Sequence, residues 1–205
     1  MSGSNGRPVA YKATALPLSQ RGGTGEVTAA HVATAARRSS APQGDAKSYP
    51  PLVSIDLDTI RTSMPAAVPF ISTLGLEYLE LSDEHAVLGM PDQERLHNHV
   101  GGPHAGAMFS LGESASGAVV LAAFSDLLNE VTPLAASAHI DYLALAKGEV
   151  RARATLSRSV ADVRAELNAG GLPQFPVSVQ ITDAQGVLTG EMTVTWALKP
   201  HRRPA

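Results

Sequence analysis

Residues 103–129, PHAGAMFSLGESASGAVVLAAFSDLLN, form the longest helical pattern in the chain, and their reading decides the fold. Ala107, Met108, Leu111, Ala115, Ala118, Val119 and Ala122 recur at the spacing of one helix face, which is read as core. Pro103 suits a first helical position, where its missing N–H costs nothing. Glu113 lies about 200° round from Leu111, and Gly106, Ser110 and Gly117 fall within roughly 60° of it. The carboxylate therefore stands on a stripe of small residues opposite the core. A helical glutamate is ordinarily just solvated. Glycine inside a helix costs about 1 kcal/mol relative to alanine, however, so two beside a carboxylate imply that a ligand or a second subunit packs closely there.

Outward from this helix the period changes. Val150, Ala152, Ala154 and Leu156 alternate with Arg151, Arg153, Thr155 and Ser157, and Val177, Val179 and Ile181 alternate with Ser178, Gln180 and Thr182. Asp183-Ala184-Gln185-Gly186 is turn chemistry, and Leu188, Met192, Val194, Trp196 and Leu198 give the last strand a buried face. Before the helix, Leu76–Leu81 and His85–Met90 are predicted strands around the Ser82-Asp83-Glu84 turn, and Leu96–His99 a short extended piece. Asp56 or Asp58 caps a predicted helix through Met64, and Pro65–Leu74 a second, ending at Gly75. Ala161–Gly171, with Asp162 as N-cap, is predicted to be a short peripheral helix. Hairpin, long helix, then four strands point to an α+β fold, an antiparallel sheet wrapped round one helix.

A chain of 205 residues fits one domain of about 150 residues and a tail. Residues 1–50, mixed Gly, Ser, Thr, Ala and Pro without apolar period, read as a disordered leader with at most a weak Ala-rich helix at 29–38; residues 51–200 read as the domain and 201–205 as a tail. Sixteen Lys and Arg against 19 Asp and Glu leave no broad basic surface, so nucleic acid is not an expected partner. The absence of cysteine removes disulfides, thiolate nucleophiles and Cys-type zinc sites, and is compatible with a cytoplasmic location. Apolar stretches such as Ala118–Phe124 fall short of a membrane span, so no membrane is expected. Arg37-Arg38 lacks the apolar segment of an export signal.

Ahead of the helix, His97-Asn98-His99-Val100-Gly101-Gly102-Pro103-His104 places polar groups and a flexible turn where free N–H groups and the helix dipole stabilise an anion. A developing oxyanion is one candidate, and an ordinary turn into a helix is the other reading. The three histidines lack a second ligand cluster, so no metal is expected. The run NHVGGPHAGAMFSLGESASG resembles the signature of PaaI-like thioesterases in the 4-hydroxybenzoyl-CoA thioesterase superfamily, with a closer likeness to an uncharacterised branch of it. Asn98, His104 and Glu113 meet its spacing. The later SAHIDYLALAKGEVRARATL resembles the family's strand-turn-strand and FPVSVQITDAQGVLTGEMTVTWAL its closing hairpin, so the likeness spans about residues 70–199.

The resemblance implies a hotdog fold that assembles as a dimer or tetramer, an active site shared between subunits, and hydrolysis of an acyl-CoA without a cofactor. It assigns Glu113 as general base or nucleophile, the Ala105 N–H as oxyanion donor, and His104 and Asn98 as groups that orient the carbonyl and the attacking water. Gly106, Ser110 and Gly117 would meet the substrate. The usual His-Gly-Gly is His104-Ala105-Gly106, which keeps the donor and adds a methyl. The family's strand hydroxyl aligns with Ala135, and Ser137, two residues on along the same face, is the expected substitute. Lys147, Arg151 and Arg153 either meet CoA phosphates or form the wet face of a strand. The main alternative is a non-catalytic hotdog module that binds acyl-CoA or assembles, and it would tolerate loss of Glu113. A hydratase motif, or a regulator's helix-turn-helix, is not visible.

Overall fold

The computed structural model describes residues 56–201, so the expected leader lies outside the described residues. Helix α1 spans Leu57–Ala67, and Asp56 caps it by accepting the Thr59 N–H at 3.0 Å. Pro65 sits inside its last turn instead of opening a second helix; α2, Pro69–Leu74, opens on Pro69 and stops at Gly75, which takes φ +67°. Strands β1 (Glu77–Leu81) and β2 (His85–Met90) form the first hairpin, closed by Ser82 Oγ accepting the Glu84 and His85 N–H groups. After a turn of 3-10 helix at Glu94–Leu96 comes the central helix α3, Ala105–Ala123. Then follow β3 (Val131–Tyr142), β4 (Val150–Leu156), α4 (Val160–Asn168), β5 (Gln174–Asp183) and β6 (Leu188–Pro200).

One antiparallel sheet of six strands, in the order β1-β2-β4-β5-β6-β3, wraps α3. This is a hotdog fold. The alternation along β4, β5 and β6 turns Val150, Ala152, Ala154, Val177, Val179, Ile181 and Val194 onto the helix. The helix answers with Leu111, Ala115, Val119 and Val120, none more than barely exposed. Fully burying a valine or leucine stabilises by roughly 1.5–3 kcal/mol, so this seam is the main source of cohesion. α3 is long and apolar enough to cross a membrane, but more than half of it is buried, as suits the core helix of this sheet.

Both ends of α3 differ from expectation. Pro103 is not the first helical residue: it bridges to His97, and His104 becomes the N-cap. The helix stops at Ala123, six residues before Asn129. Phe124 turns its ring into the core against Phe175, with centroids 5.5 Å apart, and Ser125–Leu127 tightens into a 3-10 turn. Arg164 of α4 takes the Ala123 carbonyl at 3.2 Å and grips Asp126 with both guanidinium nitrogens, at 2.6 and 2.8 Å. That bond to Arg164 holds the Asp126 carboxyl below its usual range. α4 is therefore anchored, with Val163 fully buried, and its N-cap is Ser159, which accepts from the Asp162 N–H.

Candidate active site

Asn98 shapes the loop that enters α3. Its Oδ1 accepts the Val100 N–H at 2.9 Å and the Gly102 N–H at 3.3 Å, and its Nδ2 donates to the Pro103 carbonyl at 3.1 Å. A Cβ on Gly102 would lie 2.7 Å from the Ala146 carbonyl oxygen, so glycine lets this loop rest directly on the β3–β4 connection. The two loops and the first turn of α3 enclose a cleft of about 420 Å³, bordered by Asn98, Ala105, Met108, Tyr142, Leu145 and Lys147 among others.

At the head of α3 the His104 Nδ1 accepts the Gly106 N–H at 2.9 Å, which puts the proton of the neutral ring on Nε2. The Ala105 N–H has no acceptor among the described residues. It stands in the first turn, where N–H groups lack helical partners and the dipole is positive. Tyr142 Oη donates to the Ala105 carbonyl at 2.8 Å and so ties the end of β3 to this turn; burial pushes its phenol up.

Glu113 is half-buried, and its carboxylate makes no hydrogen bond among the described residues. Burial raises its pKa above the ordinary glutamate value. Glu113 and Gly117 border a separate cleft of about 230 Å³ with Met64, Val68, Leu121 and Trp196 among its other walls. A methyl on Gly117 would come 3.3 Å from the Trp196 ring, so the close partner at this point of the small-residue stripe belongs to the same chain. Trp196 Nε1 donates to Ser116 Oγ at 2.9 Å, and that hydroxyl donates to the Glu113 carbonyl at 2.7 Å. The sheet is thereby fastened to the turn that carries the acid.

The predicted residues do not meet in one cavity of one protomer. Asn98 and Ala105 share the first cleft, Glu113 and Gly117 the second, and His104 and Gly106 line a third recess of about 300 Å³ beside Phe70 and Arg95. Ser110 Oγ is engaged within the helix, donating to the Gly106 carbonyl at 2.9 Å. Eight residues of α3 separate Ala105 from Glu113, about 12 Å of rise. Reacting atoms attack from about 3–3.5 Å.

Ser137 requires a correction. The β3–β6 register shifts between Ala135, opposite Trp196, and Ser137, opposite Thr195. The extra residue, Ala136, makes a β-bulge, so Ala135 faces the helix while Ser137 faces the outer surface, away from Glu113. Two of the three candidate cations are engaged elsewhere: Arg151 bonds Glu149 at 2.6 Å and Arg153 bonds Glu80 at 3.1 Å. A broad cavity of about 540 Å³ on that outer face, bordered by His139, Asp141, Arg153, Gln180 and Glu191 among others, includes no candidate catalytic residue.

Tyr142, Ser116 and Trp196 were not assigned to the site from sequence. A buried indole N–H calls for an acceptor, and Ser116 is the polar residue of α3 that is fully buried against the sheet. That pairing was open to inference. Tyr142 carried no comparable signal.

No curated protein sequence matches the chain. Among solved structures, a Pseudomonas aeruginosa protein of unknown function described as a probable thioesterase is 25% identical with a TM-score of 0.66, over 73% of this chain and 99% of its own. A thioesterase family protein from Silicibacter pomeroyi is 19% identical, TM-score 0.59, over 71% and 100%. A Haemophilus influenzae thioesterase is 17% identical, TM-score 0.58, over 73% and 94%. These likenesses carry the same fold of antiparallel sheet and central helix found above. The model of a domain of unknown function, DUF4442, matches residues 58–198, more than half of the chain, and the chain belongs to that family.

Proposed function

We propose that the protein hydrolyses an acyl-CoA thioester to the free acid and CoA, and that each active site is built from two protomers. The observation that carries this reading is Glu113: a half-buried carboxylate without a hydrogen-bond partner among the described residues, its proton affinity raised by burial. Desolvation is the usual means of tuning a carboxylate toward base or nucleophile chemistry. The likeness to proteins described as thioesterases supports the same reaction class.

The thioester carbonyl would lie at the head of α3, its oxygen accepting the free Ala105 N–H. Glu113 would either take a proton from the attacking water or add to the carbonyl itself; in both routes the C–S bond breaks to release CoA as thiolate, and in the second water then cleaves the acyl–Glu113 anhydride to release the acid and restore the carboxylate. The proton on His104 Nε2 would serve the carbonyl or the leaving sulfur. Asn98, its carboxamide already bonded three times within its loop, would act by shaping the cleft. A positioned acid or base contributes about 10²–10⁴ in rate and one oxyanion donor about 10²–10³.

Twelve ångströms of helix between donor and acid argue that they act from different protomers. The long edge of β3, which no other strand covers among the described residues, supplies a surface on which two copies could pair about a two-fold axis, the commonest closed arrangement. The engagement of Asn98 within its own loop favours the non-catalytic binding module as the second reading. The two are separated by assaying a panel of acyl- and aryl-CoA thioesters with wild type beside Glu113→Gln. A loss of about 10² or more is expected; absent turnover with acyl-CoA binding unchanged in the variant would establish the binding module instead.

A further inference from the structure

The cleft at Glu113 is bounded by Met64 and Val68 of the α1–α2 segment, Leu121 of α3, and Pro133 and Trp196 of the sheet. Among the described residues its remaining polar side chain is Ser114, and no Lys, Arg or His borders it. The Trp196 N–H is already given to Ser116, so it donates nothing into the space. An anionic group placed here, or one with more hydroxyls than Glu113 and Ser114 can bond, would lose hydration that nothing in the cleft replaces. A second carboxylate would in addition face the one on Glu113.

We propose that this cleft is the acyl pocket and that it selects thioesters of uncharged, apolar acids of medium length, rejecting dicarboxylic acyl groups. This rests on the thioesterase reading and adds the substrate class to it. The volume sets the length: 230 Å³ is about seven or eight times the roughly 30 Å³ of a water molecule in the liquid, and a methylene is of similar size. The pocket therefore holds about six to eight carbons or one aryl ring. Its floor is fixed because Trp196 lies against the bare backbone of Gly117 and is fastened by Ser116. Of its apolar walls Val68 is among the exposed residues, and we take its side as the mouth.

Trp196 is the single tryptophan of the chain, so its emission reports occupancy of this cleft without any need for turnover. The full chain would be titrated with non-hydrolysable thioethers of CoA: butyl, octyl, hexadecyl, and an octyl chain ending in a carboxylate. Octyl-CoA is expected to change Trp196 emission and to bind at least about tenfold more tightly than the butyl or carboxylated analogue, the scale of a few methylenes in an apolar pocket. Leu121→Ala, and independently Val68→Ala at the mouth, should move the preference toward longer chains. Silence of Trp196 on thioether binding, equal affinity for the carboxylated chain, or an unchanged length order in both variants would overturn the pocket. If thioesters are hydrolysed in a Glu113-dependent way while Trp196 stays silent, the pocket falls and hydrolysis stands. If Trp196 responds in the expected order but no thioester is cleaved, hydrolysis falls and the pocket stands.

Discussion

At one edge of the sheet β1 is five residues long, carries Glu77 and Glu80, and is interrupted by a register shift between Tyr78 and Glu80. At the other, β3 runs for twelve residues with Ala-Ala-Ser-Ala at its centre and is exposed along most of its length. Charge, shortness and bulges are the devices that keep a sheet edge from pairing with another chain. β1 has all three. β3 has a bulge and Pro133, but its charge is confined to His139 and Asp141, and Leu134, Leu143 and Leu145 lie exposed along and just beyond it. The difference teaches that one edge is guarded against pairing and the other is not, and the two-protomer site proposed above would use the unguarded one.

Breaking the open edge should have the largest effect. Ala136→Lys places a charge at its centre, and we expect monomers by analytical ultracentrifugation together with a loss of activity of about 10² or more, since every site would lose its acid or its donor. Next, Ala105→Pro removes the proposed oxyanion donor while keeping a residue tolerated at the first helical position, and should cost about 10²–10³ in kcat. Mixing it with Glu113→Gln sharpens the comparison: exchanged subunits rebuild one intact site per mixed dimer, so activity should return to about a quarter of wild type. No recovery on mixing would place both groups in one protomer.

Glu113 provides a further test through pH. Its raised pKa requires the rate to fall with pH at a value above that of an ordinary glutamate. For stability the sign is opposite: the folded chain holds this proton more tightly than the unfolded chain, so stability falls as pH rises from the ordinary value through the raised one. Glu113→Gln should therefore be inactive yet melt slightly higher at neutral pH, as scanning calorimetry would reveal. The smallest effect belongs to the closed edge, where Glu77→Lys should leave assembly unchanged and stability within about 0.5 kcal/mol.

Periodicity made most of the fold legible. The alternation in β4, β5 and β6 and the seven core positions of α3 depend only on the repeats of two and 3.6 residues, and each of those seven helical residues is buried. What escaped depends on single long-range contacts. Arg164, 41 residues away, donates to the carbonyl at which α3 ends. One surplus residue at Ala136 sends Ser137 to the far face. Neither leaves a periodic trace. In the site, the grouping of Asn98 and Ala105 about one cleft followed from their place beside the helix start. The separation of that cleft from the one at Glu113 was implicit in the helical rise alone.

With the roles proposed for Ala105 and Glu113, the spacing between them also limits how the gene can change. Within a helix, length is phase: one residue more or fewer turns everything beyond it by 100°. A single deletion in this span would swing the acid to the bearing of Gly112, where even a Cβ would lie 2.7 Å from the Met192 sulfur. A single insertion would instead give it the bearing of Ser114. Substitutions can accumulate between the two groups, but insertions and deletions cannot, whereas the loops at either end of β3 have no such constraint on length.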